Sequence, residues 1–271
     1  MEENEKHDSR FAANRRFLKD SVRRTVDFSR TAQSRGLPAP PLQKPCPGDA
    51  PRVALPEGMA ALKKLCGMAV GEAIERRASE RFYTADALSI EELSALLRAT
   101  QGVRLVLGGE CALRTVPSAG ARHSFETYIA VHNVDGLARG LYRYLPFDGV
   151  LAELVLDEDI GFRAARACLG QFFVADAAAT FFWTTLPSRM EWRYDLAAHK
   201  VIALDAGHVC QNLYLACTAL GAGTCAIAAY DQEACDSLLG VDGEEEFTVY
   251  VAPVGKVSQK DGGKREGGRK R

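Results

Sequence analysis

The stretch that decides the fold is residues 114–128, which read RTVPSAGARHSFETY. Pro117 fixes one φ angle and Gly120 frees another, so the stretch predicts a turn that exposes its backbone. Ser118 adds a hydroxyl, and the small alanines on either side of the glycine let a flat ligand come close. Residues 127–134 (TYIAVHNV) are β-branched and aromatic, which predicts a strand. The sequence therefore predicts a turn that runs directly into a strand.

The composition indicates a globular protein with a sizeable hydrophobic core. The chain has 271 residues, 47% of them hydrophobic, and its net charge is −1. This balance argues against a surface built for nucleic acid or membrane, and no apolar run approaches the ~20 residues that span a bilayer. The first ten residues are charged and lack the apolar core of a secretory signal. The 8 cysteines form no CxxC pair, so we expect reduced thiols, no metal site and a cytoplasmic location.

The N-terminal part differs in composition from the rest. Apolar residues within 1–31 recur at roughly helical spacing among many arginines, and most of the chain's 11 prolines follow between 35 and 56. This arm is either an extended connector lying on the globular part or a flexible tail. We predict an N-terminal helical segment and Pro-rich arm over 1–57, a globular domain over 58–257, and a disordered basic tail over 258–271.

The globular part predicts an α+β fold. Ser89 and Glu92 form a capping box that starts a helix ending near Gly102. The apolar run 177–185 is typical of a central strand buried on both faces, and the long helix predicted over 201–220 is apolar on nearly every side, as expected in a core or a subunit interface. Shorter elements are predicted as strands at 141–144, 150–156 and 247–254, and as helices at 71–77, at 162–169 and after Asp231.

A basic constellation precedes the first long helix. Arg77, Ser79 and Arg81 alternate, so in an extended segment their side chains point the same way. Two guanidinium groups and one hydroxyl on one side suit a phosphate, which they bind through charge-assisted hydrogen bonds. The alternative is a solvated basic stretch that follows a helix.

Another constellation lies in and after the long helix. Residues 205–213 read DAGHVCQNL, and residues 219–231 read ALGAGTCAIAAYD. Gly221 and Gly223 are expected to end the helix and to let backbone N–H groups approach a ring or an oxygen. His208 is interpreted as a core or interface histidine.

These motifs, in this order, resemble the nitroreductase family, and the closer likeness is to its SagB/ThcOx-type dehydrogenase branch. In that branch a Pro-Ser-Ala-Gly turn precedes a histidine and a Glu-x-Tyr strand, here His123, Glu126 and Tyr128. The resemblance implies an α+β, nitroreductase-like fold: a mostly antiparallel sheet flanked by helices, with the long central helix at a homodimer interface. It also implies bound FMN, with NAD(P)H as the electron donor.

The resemblance also implies which residues hold the flavin. Arg77, Ser79 and Arg81 match the element that binds the FMN phosphate and ribityl chain. The turn and the Gly-rich loop lie beside the flavin ring, and Lys256 matches a basic residue that completes the phosphate site. The expected cofactor-binding residues are therefore Arg77, Ser79, Arg81, Pro117, Ser118, Ala119, Gly120, Ala228, Ala229 and Lys256.

One departure concerns the chemistry. Azoline dehydrogenases of this branch use a Lys-Tyr pair before the central helix, and the matching residues here are Arg193 and Tyr194. Arginine is a poor general base, whereas a tyrosine can still handle a proton. The resemblance implies an FMN-dependent oxidoreductase that passes hydride between flavin N5 and a nicotinamide or small organic substrate, with nitro, quinone or enone reduction as the reaction. Azoline (thiazoline or oxazoline) dehydrogenation in peptide modification is one alternative, and a non-catalytic flavin-binding or redox-sensing module is another.

Overall fold

One antiparallel sheet organises the protein in the computed structural model, which describes residues 10–56, 60, 62–63 and 67–258. The strands are β1 Arg52–Ala54, β2 Val103–Leu107, β3 Cys111–Arg114, β4 Phe125–Val131, β5 Gly140–Leu145, β6 Val150–Leu156, β7 Ala179–Thr185, β8 Ala222–Thr224 and β9 Phe247–Lys256. Seven of them form a sheet in the order β1-β6-β5-β4-β7-β9-β8, and β2 pairs with β3 in a separate hairpin. Every ladder between neighbouring strands is antiparallel, which confirms the predicted sheet type.

Helices cover both faces of this sheet. They are α1 Ala12–Leu18, α2 Val70–Arg76, α3 Ile90–Gln101, α4 Ile160–Ala167, α5 Ser188–Tyr194, α6 Ala198–Ala219 and α7 Gln232–Leu239. Helices α3 and α6 share one core with residues such as Phe181 and Trp183 of β7, while α4 and α7 share the other core with Phe182. Successive residues of a strand point to opposite faces, so β7 is buried on both sides, as its apolar run predicted.

The start of α3 shows how local sequence fixes an element. Ser89 Oγ accepts from the Glu92 backbone N–H at 3.2 Å, and Glu92 Oε2 accepts from the Ser89 N–H at 2.9 Å. This reciprocal capping box satisfies two N–H groups that the helix itself leaves unpaired. The apolar stripe of α3, including Leu93 and Leu96, is fully buried against the sheet. The predicted start of the helix and its end before Gly102 are both confirmed.

The N-terminal part is less helical than predicted. Residues 1–9 lie outside the described part of the chain, and the rest of the segment forms the short helix α1 and two 3-10 turns at Asp20–Thr25 and Phe28–Arg30. None of these three elements has a buried residue. The apolar spacing therefore does not produce one amphipathic helix, because the segment offers its apolar side chains no core to enter.

The Pro-rich arm lies on the globular part, held mainly through its own carbonyl oxygens. Three buried arginines donate to them: Arg189 Nε to Pro41 (2.8 Å), Arg114 Nη2 to Leu42 (3.1 Å), and Arg143 Nη2 to Lys44 (3.0 Å) and Pro45 (2.9 Å). A Pro-rich chain has many carbonyl acceptors and few N–H donors. A guanidinium group has only donors, so the two are complementary. Beyond these contacts, residues 52–54 of the predicted connector form strand β1.

Three further details differ from the expectations. Gly221 follows α6 with φ 67°, as predicted for a helix end, but Gly223 belongs to strand β8. The hairpin β2–β3 and the short helix α5 were not predicted. The basic tail from residue 259 lies outside the described residues. Across the part of the chain that the structure describes, no helix has both the length and the apolar character needed to cross a membrane.

Candidate functional site

A tyrosine of α6 joins the first two residues of the predicted phosphate clamp. Tyr214 Oη lies 3.0 Å from Ser79 Oγ and accepts the backbone N–H of Ala226 at 2.8 Å. The Arg77 guanidinium stacks over the same ring, 5.4 Å from its centroid. Sequence reasoning missed Tyr214, since its role depends on contacts with residues far away in the chain. The tyrosine fixes the clamp against the loop that follows β8.

The third basic residue of the clamp takes a different direction. Arg81 stacks over Phe173 at 5.8 Å, in the 3-10 turn Phe172–Val174. Gln171, just before that turn, donates Nε2 to the carbonyl oxygen of Ala229 at 2.8 Å. Ala228 and Ala229 are exposed at the surface. The structure thus brings Arg81 and the Ala228–Ala229 backbone to the same turn, while Tyr214 holds the other two clamp residues.

Lys256 lies at the end of β9, opposite Ala222 of β8. Its ammonium group forms an ion pair with Glu92, the carboxylate of the α3 capping box. Its carbonyl oxygen accepts the Thr84 N–H at 2.9 Å, in the segment that leads from the clamp to α3. Lys256 is therefore close to the clamp segment through its backbone, and its charge is already neutralised by a carboxylate.

A second cluster forms around the predicted turn. Asp205 Oδ2 accepts the backbone N–H of Ala119 at 3.2 Å, and Ser118 Oγ accepts the N–H of His123 at 3.0 Å. Asp205 belongs to α6 and is buried. Burial raises the pKa of the Asp205 carboxyl, and hydrogen bonds from Ser118 and Ala119 act in the opposite direction. Asp205 fixes the turn on the central helix, a role that the sequence reasoning did not give it.

The turn also meets the predicted catalytic pair. Gly120 has φ 58°, and a Cβ atom at this position would lie 2.7 Å from both Arg193 Nε and Tyr194 Oη. No real Cβ tolerates such contacts, so only glycine fits here without displacing the pair. Both side chains are half-buried. The structure therefore places Arg193 and Tyr194, at the end of α5, directly against the exposed backbone of the turn.

The backbone around this second cluster is strained. Ala121 (φ 53°) and His123 (φ 47°) follow the turn, and Asp195 (φ 48°) follows the predicted catalytic pair. Positive φ values at residues other than glycine cost energy and concentrate at functional sites. Burial, reinforced by the nearby Arg114, lowers the pKa of His123 to about 3. The histidine is therefore neutral at physiological pH and serves the turn as a packed, uncharged group.

The two clusters lie at different levels of α6. Asp205 and Tyr214 are nine residues apart, which corresponds to roughly 13 Å along a helix that rises 1.5 Å per residue. Over residues 203–211, α6 leaves one face exposed, formed by Ala203, Leu204, Gly207, His208 and Gln211. Residues at these spacings share one side of a helix. The apolar helix predicted to be covered all round is thus open, in the single chain, on this face.

Comparison with known proteins identifies the family to which this chain belongs. The sequence pattern described as Nitroreductase family matches residues 74–256. A Methanocaldococcus jannaschii protein, provisionally named a nitroreductase, is 33% identical over 181 residues, which make up 67% of this chain and 87% of that protein. The chain belongs to the nitroreductase family. Membership implies a flavin-dependent oxidoreductase, and it confirms the family named from the sequence motifs.

Solved structures agree on the nitroreductase fold. A Ralstonia eutropha protein of the same provisional name superposes with TM-score 0.63 at 25% identity, covering 83% of this chain and 100% of that one. An Anabaena variabilis counterpart gives TM-score 0.62 at 26% identity; 77% of this chain matches 42% of that protein, so this chain spans less than half its length. A chain of the Escherichia coli microcin synthetase complex, with TM-score 0.56 and 18% identity over 76% of this chain, shares the fold.

The residues of the predicted phosphate clamp fit a phosphate-bearing cofactor. No ion pair within the described residues involves Arg77 or Arg81, so both cations lack a carboxylate partner there. Thr224 bridges to Ser79 in the β8 region, and its Oγ1 is buried without a hydrogen-bond partner in the described part of the chain. A buried hydroxyl of this kind ordinarily has a partner. An anion with several acceptor oxygens suits the two guanidinium groups and the Ser79 hydroxyl.

Proposed function

We propose that this nitroreductase-family chain is an FMN-dependent oxidoreductase that reduces small organic substrates with electrons from NAD(P)H. The observation that carries the proposal is the contact of Gly120 with Arg193 and Tyr194. Gly120 is exposed and has no side chain, so its backbone forms a bare strip beside one cation and one hydroxyl. The flat flavin ring can stack on such a strip while the Arg193 and Tyr194 side chains contact the substrate. Reduction of a nitro, quinone or enone group is the reaction class that we assign.

In this proposal the clamp holds the FMN phosphate and ribityl chain. Arg77 and Arg81 supply charge, and Ser79 supplies a hydroxyl. The backbone at Ala228 and Ala229 and the turn Pro117–Gly120 border the flavin ring. Lys256 reaches the phosphate only by exchanging its Glu92 partner, so its contribution to cofactor affinity is smaller than that of the clamp.

A second copy of the chain completes the site in the same proposal. A twofold axis through the exposed α6 face, between His208 and Gln211, would bring the Tyr214 level of one helix beside the Asp205 level of the other. The clamp of one copy and the turn of the other would then border one flavin. Leu204 and His208, which the single chain leaves exposed, would be covered by the same contact. The homodimer is therefore part of the proposed function.

When bound, FMN supplies the hydride-accepting and hydride-donating centre at its N5. The chain's own residues position the substrate and manage protons. The Tyr194 hydroxyl, set against Gly120, is placed to give a proton to the reduced substrate or to hand one on from water. The Arg193 guanidinium supplies positive charge beside Tyr194 and is available to bind a negatively charged group of the substrate.

The test is reconstitution with FMN followed by turnover. The purified protein should take up about one FMN per subunit, as read from its flavin absorbance, and oxidise NAD(P)H in the presence of a nitroaromatic or a quinone. Arg77→Ala should weaken FMN binding roughly tenfold to a hundredfold, as expected for a lost charge-assisted phosphate contact. Arg166→Ala removes the same charge from α4 and serves as the matched control. Failure to bind FMN would refute the proposal.

Azoline dehydrogenation is the second candidate, favoured by the position of the Tyr194 hydroxyl at Gly120. Oxidation of a thiazoline or oxazoline ring must remove a proton from carbon, and Tyr194 is the group of the matched pair able to accept one. Tyr194→Phe should then abolish ring oxidation with FMN still bound. In a reductase, water can supply the proton in place of Tyr194, so the same variant should lower turnover only modestly. Normal FMN binding with no turnover of any acceptor would instead indicate a flavin-binding or redox-sensing module.

A further inference from the structure

A cavity lies beside the catalytic pair, between α5 and the N-terminal segment. Its volume is about 310 Å³. Arg193 and Tyr194 form one wall, and residues between Arg23 and Ser34 form the other. Small-molecule sites begin at volumes of about 300 Å³, so this cavity has room for one substituted ring. It adjoins the turn, because the same two α5 residues contact the position of Gly120.

The N-terminal wall is anchored, although the segment as a whole is exposed. The Gln33 N–H donates to the carbonyl oxygen of Trp192 at 2.9 Å, and Trp192 Nε1 donates to the Leu37 carbonyl oxygen at 2.9 Å. Arg193 Nη1 donates to Gln33 Oε1 at 3.2 Å. Thr31, whose hydroxyl bonds to Ser34, is only 3% exposed. These contacts hold residues 31–37 at a fixed distance from α5.

The electrostatics of the cavity are one-sided. Two guanidinium groups, those of Arg23 and Arg193, line it together with the Thr31 and Ser34 hydroxyls, and none of its lining residues is acidic. No ion pair in the described residues involves Arg193, and Arg23 pairs only with Asp20, on the exposed side of its own 3-10 turn. Residues 10–35 carry eight Arg or Lys and two Asp. A half-buried cation beside an acid-free cavity favours an anionic occupant.

We propose that this cavity selects substrates that carry a carboxylate, with Arg193 and Arg23 binding the carboxylate and the Phe28 ring forming an apolar side of the cavity. The reactive group of such a substrate then lies toward Tyr194 and Gly120. This inference rests on the proposed flavin chemistry, whose substrate class it names. It gives the N-terminal segment a function in specificity, because that segment supplies one of the two cations and one wall of the cavity.

The experiment compares two probes of similar size: 4-nitrobenzoate, which carries the charge, and 4-nitrobenzyl alcohol, which does not. Binding to the FMN-loaded full chain is measured by calorimetry, and KM is measured with NAD(P)H as the donor. The wild-type protein should prefer the carboxylate by about tenfold, as expected for a charge-assisted contact that is partly solvated. The preference should decline as salt is raised, since screening weakens exposed charges.

Variants assign the preference to residues. Arg193→Gln, which keeps a donor for Gln33, should remove the preference; Arg193→Lys should restore part of it; and Arg23→Gln should reduce it by roughly threefold. Arg24→Gln is the matched control, since it removes the same charge from the same turn and does not line the cavity. A preference that survives Arg193→Gln, or one that Arg24→Gln removes equally, would overturn the inference.

The outcomes also separate this inference from the proposed function. Equal affinity and equal KM for the two probes, in a flavin-loaded and active enzyme, would overturn the carboxylate site and leave the oxidoreductase in place. A protein that takes up no flavin would overturn the proposed oxidoreductase. Calorimetry on the flavin-free chain would then decide the carboxylate site, which stands if Arg193→Gln removes 4-nitrobenzoate binding and falls if it does not.

Discussion

Glu126 accepts a hydrogen bond from Arg189 Nη2 at 2.5 Å, and both side chains are only 2% exposed. The same carboxylate oxygen accepts the backbone N–H of Lys44 at 2.8 Å. One buried ion pair therefore joins the central strand β4, the helix α5 and the Pro-rich arm. Because α5 ends in Arg193 and Tyr194, this pair also sets the position of the proposed catalytic residues.

Removal of one partner of that pair should destabilise the protein strongly. Glu126→Ala leaves the Arg189 charge buried without a counter-ion, which typically costs about 3–5 kcal/mol. The free energy of unfolding, measured by urea titration, should fall by that amount. Glu72→Ala, which breaks the exposed Arg76–Glu72 pair on α2, should change it by less than about 1 kcal/mol. Equal losses in the two variants would contradict a special role for the buried pair.

Gly120→Ala should impair the site more than the fold. The added Cβ would displace Arg193 and Tyr194, to which it would come within 2.7 Å, in addition to the strain of φ 58°. Gly149→Ala is the matched control, since it has φ 66° and open space around its Cβ. Both variants should lose about 1 kcal/mol of stability, but only Gly120→Ala should lower turnover, by roughly tenfold or more. Similar turnover in both would place the catalytic pair elsewhere.

Two buried histidines should make the protein sensitive to mild acid. Burial lowers the pKa of His132 to about 4 and that of His123 to about 3, below the ordinary value of 6.5. The unfolded chain binds these protons first, so stability falls as the pH drops below 6.5. The loss at pH 5 should be roughly 2 kcal/mol per histidine.

A variant isolates this contribution from the other titrating groups. His132→Gln should reduce the difference in unfolding free energy between pH 7 and pH 5. A pH dependence identical in the wild type and in His132→Gln would show that another group is responsible.

The exposed face of α6 should control assembly. Leu204→Arg places a charge where the proposed twofold contact needs an apolar surface, so light scattering should show a shift from dimer toward monomer, together with weaker FMN binding. Leu156→Arg, on β6, is the matched control, because the two leucines are 56% and 55% exposed in the single chain. A Leu204→Arg dimer with normal FMN affinity would exclude this face as the interface.

The sequence predicted elements whose signals are local. Ser89 and Glu92 lie three residues apart and cap a helix by themselves. The run at 177–185 is apolar at nearly every position, which by itself predicts a strand buried on both faces. The hairpin β2–β3 also had a local signal that was overlooked. Gly108 and Gly109 have φ 60° and 78° in the three-residue loop between the two strands, and a short Gly-containing loop between apolar runs is typical of a β-hairpin.

The site was predictable only as separate motifs. Tyr214 contacts Ser79 across 135 positions of the chain, and no periodicity in either segment reports such a contact. The approach of Arg193 to Gly120 likewise depends on how α5 is held against β4. The family resemblance identified Arg193 and Gly120 as site residues, but it did not predict that they lie next to each other. The buried arginines, which composition alone assigns to the surface, were missed for the same reason.

The arginines that hold the Pro-rich arm contact its main chain, and a main-chain carbonyl is the same in every residue type. Most side chains of the arm should therefore be replaceable at little cost. The number of residues between Pro41 and Pro45 should not be changeable in the same way. Arg189, Arg114 and Arg143 each donate to a carbonyl oxygen at a fixed position in this stretch. Deletion of a single residue there would move every later oxygen away from its guanidinium group. Natural variation in this arm should accordingly be wide in composition and narrow in length.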